Sequence, residues 1–176
     1  MPPAYPLRSI VYTALFVALI SVGAFIAIPI GPVPIVLQNM FVLLAGLILG
    51  PAWGLTCVAV YLLVGLAGLP VFAGGTSGIG KLFGPTGGYL LGYLPAVFVT
   101  GTLSAWLGKR PGWDILALTA GSVVVYAAGV PWLKIAFAMS WGKAMAAGML
   151  PFLVGDVIKI AAAAAIAGKI RPFVKL

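Results

Sequence analysis

Charge is scarce along this chain, and that scarcity constrains its fold more than any other feature. Ten Lys or Arg and two acids are its only charged side chains among 176 residues. A soluble domain carries about 25% charged residues, against 7% here, and the mean hydropathy is +1.22. Water would not keep such a chain dispersed, whereas lipid would. The expectation is an all-α integral membrane protein, with residues 1–176 forming a single membrane domain.

A helix needs roughly 20 apolar residues to cross a bilayer. Six segments approach that length, at about 9–30, 35–50, 52–69, 88–107, 114–133 and 149–169. The first runs into the Pro29, Pro32, Pro34 cluster, the second is short and closes at Gly50-Pro51, and the third closes at Gly68-Leu69-Pro70. Residues 134–148 are apolar but carry Lys134 and Lys143, which fits either a short interfacial helix or an extension of the fifth span. With six crossings and the N-terminus inside, the inner side holds Arg8, Lys109, Arg110, Lys169, Arg171 and Lys175, and the outer side Lys81, Lys134 and Lys143. Cations favour the cytoplasmic side, so both termini are expected there. The glycine-rich stretch between the third and fourth spans then faces outward. Arg8 precedes an apolar run with no convincing cleavage site, which reads as a retained first span.

That outer stretch, GGTSGIGKLFGPTGGY from Gly74 to Tyr89, nearly spells a nucleotide-binding loop. Gly75, Gly80 and Lys81 satisfy the G-x-x-x-x-G-K pattern, but Leu82 stands where Ser or Thr should hold magnesium. No strand–loop–helix context surrounds it. The scattered cations, without an aromatic platform, exclude a nucleic-acid surface. There is no histidine, the commonest metal ligand and general base, and the lone Cys57 lies in an apolar run. No nucleophile–base pair is visible, so neither an enzyme nor a bound metal or cofactor is expected.

Asp156 is the most informative residue. It lies about seven residues inside the sixth span, or roughly 10 Å from its outer end at 1.5 Å per residue. An ionised acid in the bilayer costs at least ~2.5–3.5 kcal/mol and marks a functional site by default. Lys159, three positions on, shares its helix face. Two readings fit: a structural ion pair, or a polar ligand site facing the bundle interior. Asp114, the other acid, reads as a solvated helix cap. Gln38 and Asn39, near the outer start of the second span, suit either interhelical hydrogen bonding or the same site. In the outer loop, Lys81 adds charge and Thr86 a hydroxyl. Free N–H groups there could form an anion nest, and Gly78, Gly87 and Gly88 suit tight turns. Tyr89 fits a pocket wall or an interfacial anchor; Tyr61, Tyr93, Tyr126 and the tryptophans read as belt or core residues. Small residues four apart, Gly46/Gly50/Gly54 and Ala14/Ala18, allow close helix approach within the bundle or against a partner. Together these groups suit a small, partly apolar molecule with N–H donors at one end and an anion at the other.

Three stretches, IPIGPVPIVLQNMFVLLAGLILGP, GLAGLPVFAGGTSGIGKLFGPTGGYLLGY and GDVIK, resemble the BioY family, the biotin-binding S components of energy-coupling factor (ECF) transporters, over nearly the whole chain. The resemblance implies a six-helix protein of the bacterial cytoplasmic membrane that captures biotin from outside. It places Asp156 and Lys159 in the ligand site, and the loop from Gly74 to Tyr89, with Gly75, Lys81, Thr86 and Tyr89, over the ligand. Lys81 is the choice for the valerate carboxylate. Ala14 and Ala18 match the A-x-x-x-A that meets the transmembrane coupling subunit, and ATP is consumed by two separate ATPase subunits as the S component topples in the membrane. The alternatives are an S component for another small vitamin, a stand-alone solute facilitator, or a scaffold whose small-residue faces only bind partners.

Overall fold

The structure is a computed structural model that describes residues 5–29 and 31–174. Lys175 and the end of the first predicted span at Ile30 lie outside the described residues. The elements in order are α1 (Tyr5–Phe25), β1 (Ala27–Ile28), β2 (Ile35–Val36), α2 (Gln38–Leu66), α3 (Gly80–Phe83), α4 (Gly87–Trp106), α5 (Pro111–Ala136), α6 (Trp141–Gly148) and α7 (Leu150–Ile170). Helices close their backbone hydrogen bonds within one segment, as the bilayer core demands. Five helical stretches are long and apolar enough to cross a membrane: 7–25, 38–66, 87–106, 112–136 and 141–170.

The 29-residue α2 is two arms. Gly50 sits at φ 77, ψ −178, outside helical space, and Pro51 follows it. In a straight helix residues 46 and 54 would stand roughly 12 Å apart. Instead, a Cβ built on Gly54 would lie 3.3 Å from the Gly46 Cα. The chain therefore folds back at Gly50, and the second and third predicted spans are the arms 38–49 and 51–66. Glycine at position 50 supplies the left-handed φ. Those at 46 and 54 let the arms touch.

The same logic packs α4 against the bend. A Cβ on Gly101 would come within 2.7 Å of the Pro51 nitrogen, and one on Gly46 within 2.7 Å of the Val97 carbonyl oxygen. On the other face of α4, a Cβ on Gly92 would lie 2.8 Å from the Ala128 Cβ of α5. The buried core runs along these contacts, with Leu44, Leu47, Val58, Tyr61, Val97 and Leu118 almost fully enclosed. Much of α7 faces outward, including Val154, Val157 and Ile158, as expected for a surface that lipid covers.

Residues 27–36 pair as a two-stranded antiparallel ribbon, Ala27 with Val36 and Ile28 with Ile35. The sequence reading expected only a proline-broken helix end there. The stretch 134–148 resolves into the end of α5, a turn, and the separate helix α6, whose N-cap Ser140 accepts from the Lys143 backbone N–H. Gly74 N–H donates to the Ala24 carbonyl at 3.1 Å, so the loop after α2 lies at the C-terminal end of α1. The starts of α1 and the end of α7 lie at the opposite end of the bundle.

Close backbone approach at Gly101 makes a specific demand. Gly101→Ala is expected to cost about 1–3 kcal/mol by overpacking against backbone atoms, lowering the thermal unfolding midpoint in detergent. Gly112→Ala, where nothing lies within 4 Å, is expected not to lower it.

Candidate functional site

Asp156 sits on the second turn of α7, 5% exposed, between three donors from three helices. Asn39 Nδ2, on the first turn of α2, donates to Asp156 Oδ1 at 3.1 Å. Lys159 Nζ donates to the same oxygen and to Asn39 Oδ1, each at 3.2 Å. The Tyr126 hydroxyl of α5 donates to Asp156 Oδ2. Hydrogen bonds to a charged acceptor are the strong ones, and here they bring α2, α5 and α7 together at one depth.

The cluster opens onto a cavity of about 480 Å³, within the range of roughly 300–1,000 Å³ usual for small-molecule sites. Asp156, Lys159, Asn39 and Gln38 line its floor; Tyr89, Tyr93, Ser122, Tyr126 and Phe152 form walls; Thr76, Ser77, Lys81, Thr86 and the ribbon residues Pro32, Val33, Pro34 and Val36 surround the mouth. Gln38 is 1% exposed, and its Nε2 has no hydrogen-bond partner. A buried amide donor left unmade costs about 1–3 kcal/mol, and this one borders the cavity, where a ligand acceptor can meet it.

Seven of the eight predicted ligand-site residues therefore converge: Asp156, Lys159, Lys81, Thr86, Tyr89, Gln38 and Asn39. Gly75 is not among the lining residues; its φ of 72 turns the loop, and its Cα faces the Phe25 ring. Lys81 is half-buried at the mouth, and neither acid of the chain pairs with it. Thr86 is the N-cap of α4, yet its side chain makes no capping bond, so its hydroxyl is left for the cavity. Tyr89 reaches across to donate to the Gly148 carbonyl at 2.7 Å. A Cβ on Gly129 or Gly148 would collide with that tyrosine, which explains both glycines.

Several expectations change. Tyr126 and Tyr93 are cavity residues rather than belt or core residues alone. The signal was available for Tyr93, one helical turn from Tyr89, and for Phe152, one turn before Asp156. The ribbon and its prolines carried no such periodicity. Much of the outer loop's capacity for an anion nest is spent internally: the N–H groups of Gly74, Gly75, Thr76, Gly78, Lys81, Leu82 and Gly84 donate to backbone carbonyls. Gly78 does turn the chain at φ 91, but Gly87 and Gly88 are helical. A Cβ on Gly88 would lie 2.2 Å from the Trp132 Cβ, so its smallness serves packing.

Asp114 is the clearest correction. It is fully buried and not a solvated cap. Arg171, from the end of α7, grips it with a two-pronged fork, Nη1 to Oδ2 at 2.6 Å and Nη2 to Oδ1 at 2.8 Å. Ser104 Oγ of α4 donates to Asp114 Oδ1 at 2.8 Å, and Arg171 also reaches the carbonyls of Lys109 and Leu47. This clasp ties α2, α4, α5 and α7 at the end of the bundle opposite the cavity. Sequence separation of 57 residues hid the pair.

Ala14 and Ala18, expected from the sequence to meet a partner, are exposed on α1. Thr13, Phe16 and Ile20 of the same helix face the core.

Fold and site together define a multi-pass helical membrane protein with one enclosed polar cluster under an outer mouth, the build of a small-molecule capture subunit. The BioY family profile matches residues 1–176, and the chain belongs to that family. A relative from Pyrococcus horikoshii, described as a probable biotin transporter BioY, is 42% identical over 93% of this chain and 96% of its own length. A biotin transporter BioY from Thermotoga maritima is 42% identical over 94% and 96%. A crystal structure described as the S-component for biotin from an ECF-type ABC transporter superposes with a TM-score of 0.91 at 30% identity, covering 98% of this chain and 95% of that one.

Removing one partner of a buried ion pair strands the other. Arg171→Met is expected to cost about 3–5 kcal/mol, read as a lower unfolding midpoint in detergent. Adding Asp114→Asn is expected to restore part of it; a double variant no more stable than the single would contradict the clasp.

Proposed function

We propose that this chain is the biotin-capturing S component of an ECF-type importer. The observation that carries the reading is Asp156: a buried carboxylate held by three donors, facing a cavity of about 480 Å³. Biotin's ureido ring offers two N–H donors and one carbonyl acceptor. The donors suit the carboxylate, and the carbonyl suits Lys159 or the free Gln38 amide. Its apolar ring and chain suit Tyr89, Tyr93 and Phe152. Its carboxylate suits Lys81 at the mouth, with Thr86 beside it. The family, the relatives named as biotin transporters, and the neighbouring S-component fold support the same ligand.

In this reading the molecule lies in the cytoplasmic membrane of a bacterium, with the cavity mouth outward and the Asp114–Arg171 clasp inward. The scattered inner cations Arg8, Lys109, Arg110 and Lys169 support that orientation. Hydrolysis of ATP belongs to two ATPase subunits, and a coupling membrane subunit docks on the exposed Ala14/Ala18 face of α1. Small residues there permit the backbone approach that membrane helix pairs depend on. The mostly uncharged lipid-facing surface lowers the cost of the subunit reorienting between outward and inward states.

Equilibrium binding of labelled biotin to the purified protein tests the reading. The unaltered protein is expected to bind, and Asp156→Asn to weaken binding by about 10–100-fold, the scale of a hydrogen bond to a charged group. Lys81→Ala is expected to weaken biotin by about ten-fold while leaving biotin amide little changed. Folded protein that does not bind biotin at all would rule the ligand out.

A further inference from the structure

The mouth of the cavity is held in two different ways. Residues 71–78 are fixed repeatedly to the bundle. The Tyr61 hydroxyl donates to the Val71 carbonyl at 3.0 Å, Gly74 N–H to Ala24, and Gly78 N–H to the Gly65 carbonyl at 2.8 Å. The Phe72 ring fills the notch over Gly65, where a Cβ would lie 2.3 Å from it. Residues 79–86 include α3 and contribute Lys81 and Thr86 to the cavity, and they are held differently. Their backbone N–H groups bond only to near neighbours: Lys81 to Gly78, Leu82 to Ile79, Gly84 to Lys81. Their outer face, Ile79 and Phe83, is 65% and 71% exposed. At its far end the segment runs into α4, where Gly87 N–H donates to the Gly84 carbonyl at 3.1 Å and Leu90 N–H to the Thr86 carbonyl at 3.0 Å. Beyond these, Trp132 Nε1 of α5, distant in sequence, donates to the Gly84 carbonyl at 3.0 Å.

We propose that Trp132 is a positioning residue for ligand capture, an indole latch that holds 79–86 shut over the cavity and sets how fast ligand enters and leaves. The inference rests on the capture role proposed above but concerns its kinetics. Trp132 touches the strap rather than the acid cluster, and Trp132 is not among the cavity-lining residues. Gly88 lets its stem sit against the start of α4, so the indole is fixed on its own side and its N–H is aimed at Gly84. Gly78, at φ 91, gives the strap a point about which to swing. The opposite end of the bundle is closed by the Asp114–Arg171 fork and its added carbonyl contacts. The latch lies at the mouth of the cavity, at the end of the molecule away from that fork.

Losing one neutral hydrogen bond shifts an open–closed balance by roughly three- to ten-fold. A latch must open for entry and for exit, so both rates rise together and their ratio stays nearly constant. Stopped-flow binding of biotin to Trp132→Phe is therefore expected to show association and dissociation each faster by roughly three- to ten-fold, with Kd changed by less than about two-fold. A rise in dissociation alone would make Trp132 a ligand contact, and unchanged rates would remove the latch; either result overturns the proposal. Benzothienylalanine at position 132, which exchanges the indole N–H for sulfur and keeps the ring, is expected to reproduce the phenylalanine result in a fully packed fold. Hydrogen exchange without ligand reads the latch independently of biotin: the amides of residues 81–84 are expected to exchange faster in both variants, while those of 72–78 do not change. Equal exchange at 81–84 in variant and parent would refute the latch even if biotin proved to be the wrong ligand, and failure of the parent to bind biotin would leave this arm decisive.

Discussion

A carboxylate placed in the hydrocarbon layer must find its donors inside the protein, and the interior of this molecule is arranged around that need. Insertion of an aspartate at membrane depth costs ~2.5–3.5 kcal/mol or more. Asn39, Tyr126 and Lys159 meet Asp156 from α2, α5 and α7. Lys159 reaches it along α7 itself, but Asn39 and Tyr126 can do so only if their helices stand at the right depth and rotation. The small residues supply that placement. Glycines at 46, 54, 92 and 101 bring the arms of α2, α4 and α5 into backbone contact, and the polar groups then fall at one level beneath the mouth.

The chain's two acids show how burial alone does not define a site. Asp156 is 5% exposed and Asp114 0%. Asp114 is gripped by a two-pronged arginine and a serine hydroxyl, and that arginine also donates to the carbonyls of Lys109 and Leu47. Asp156 is bonded on its protein side and borders a cavity on the other, next to an amide donor that has no partner. The first arrangement fastens helix ends. The second leaves polar groups at a space of ligand size. The difference lies in the space beside each acid: Asp156 lines the cavity, and Asp114 is not among its lining residues.

Much of this was legible in the sequence, for identifiable reasons. Apolar runs broken at Gly50-Pro51 and Pro70 read directly as helix boundaries, because lipid tolerates few other arrangements. Asp156 and Lys159 stood out because charge is rare inside spans and because a separation of three puts both on one face. What stayed hidden depended on contacts distant in sequence. Tyr126 lies 30 residues from the carboxylate it serves and looks like any aromatic in a span. Asp114 looked like a cap because its arginine lies 57 residues away. The ribbon at 27–36 escaped notice because its prolines signal only that a helix ends, not that two short strands pair. Gly87 and Gly88 read as turn residues, though it is the bulk of Leu82 and Trp132 that requires them.

The central claim is that one specific carboxylate meets the ligand, and the composition makes it directly observable. The chain has only two acids, Asp114 and Asp156, so protein labelled with carbon-13 at the aspartate side-chain carboxyl gives two carboxyl resonances in lipid. Titration with biotin, followed by solid-state NMR, is predicted to move one of them, the one absent from Asp156→Asn, while the Asp114 signal stays in place. If biotin binds and the Asp156 resonance does not shift, or the Asp114 resonance shifts instead, the account is wrong.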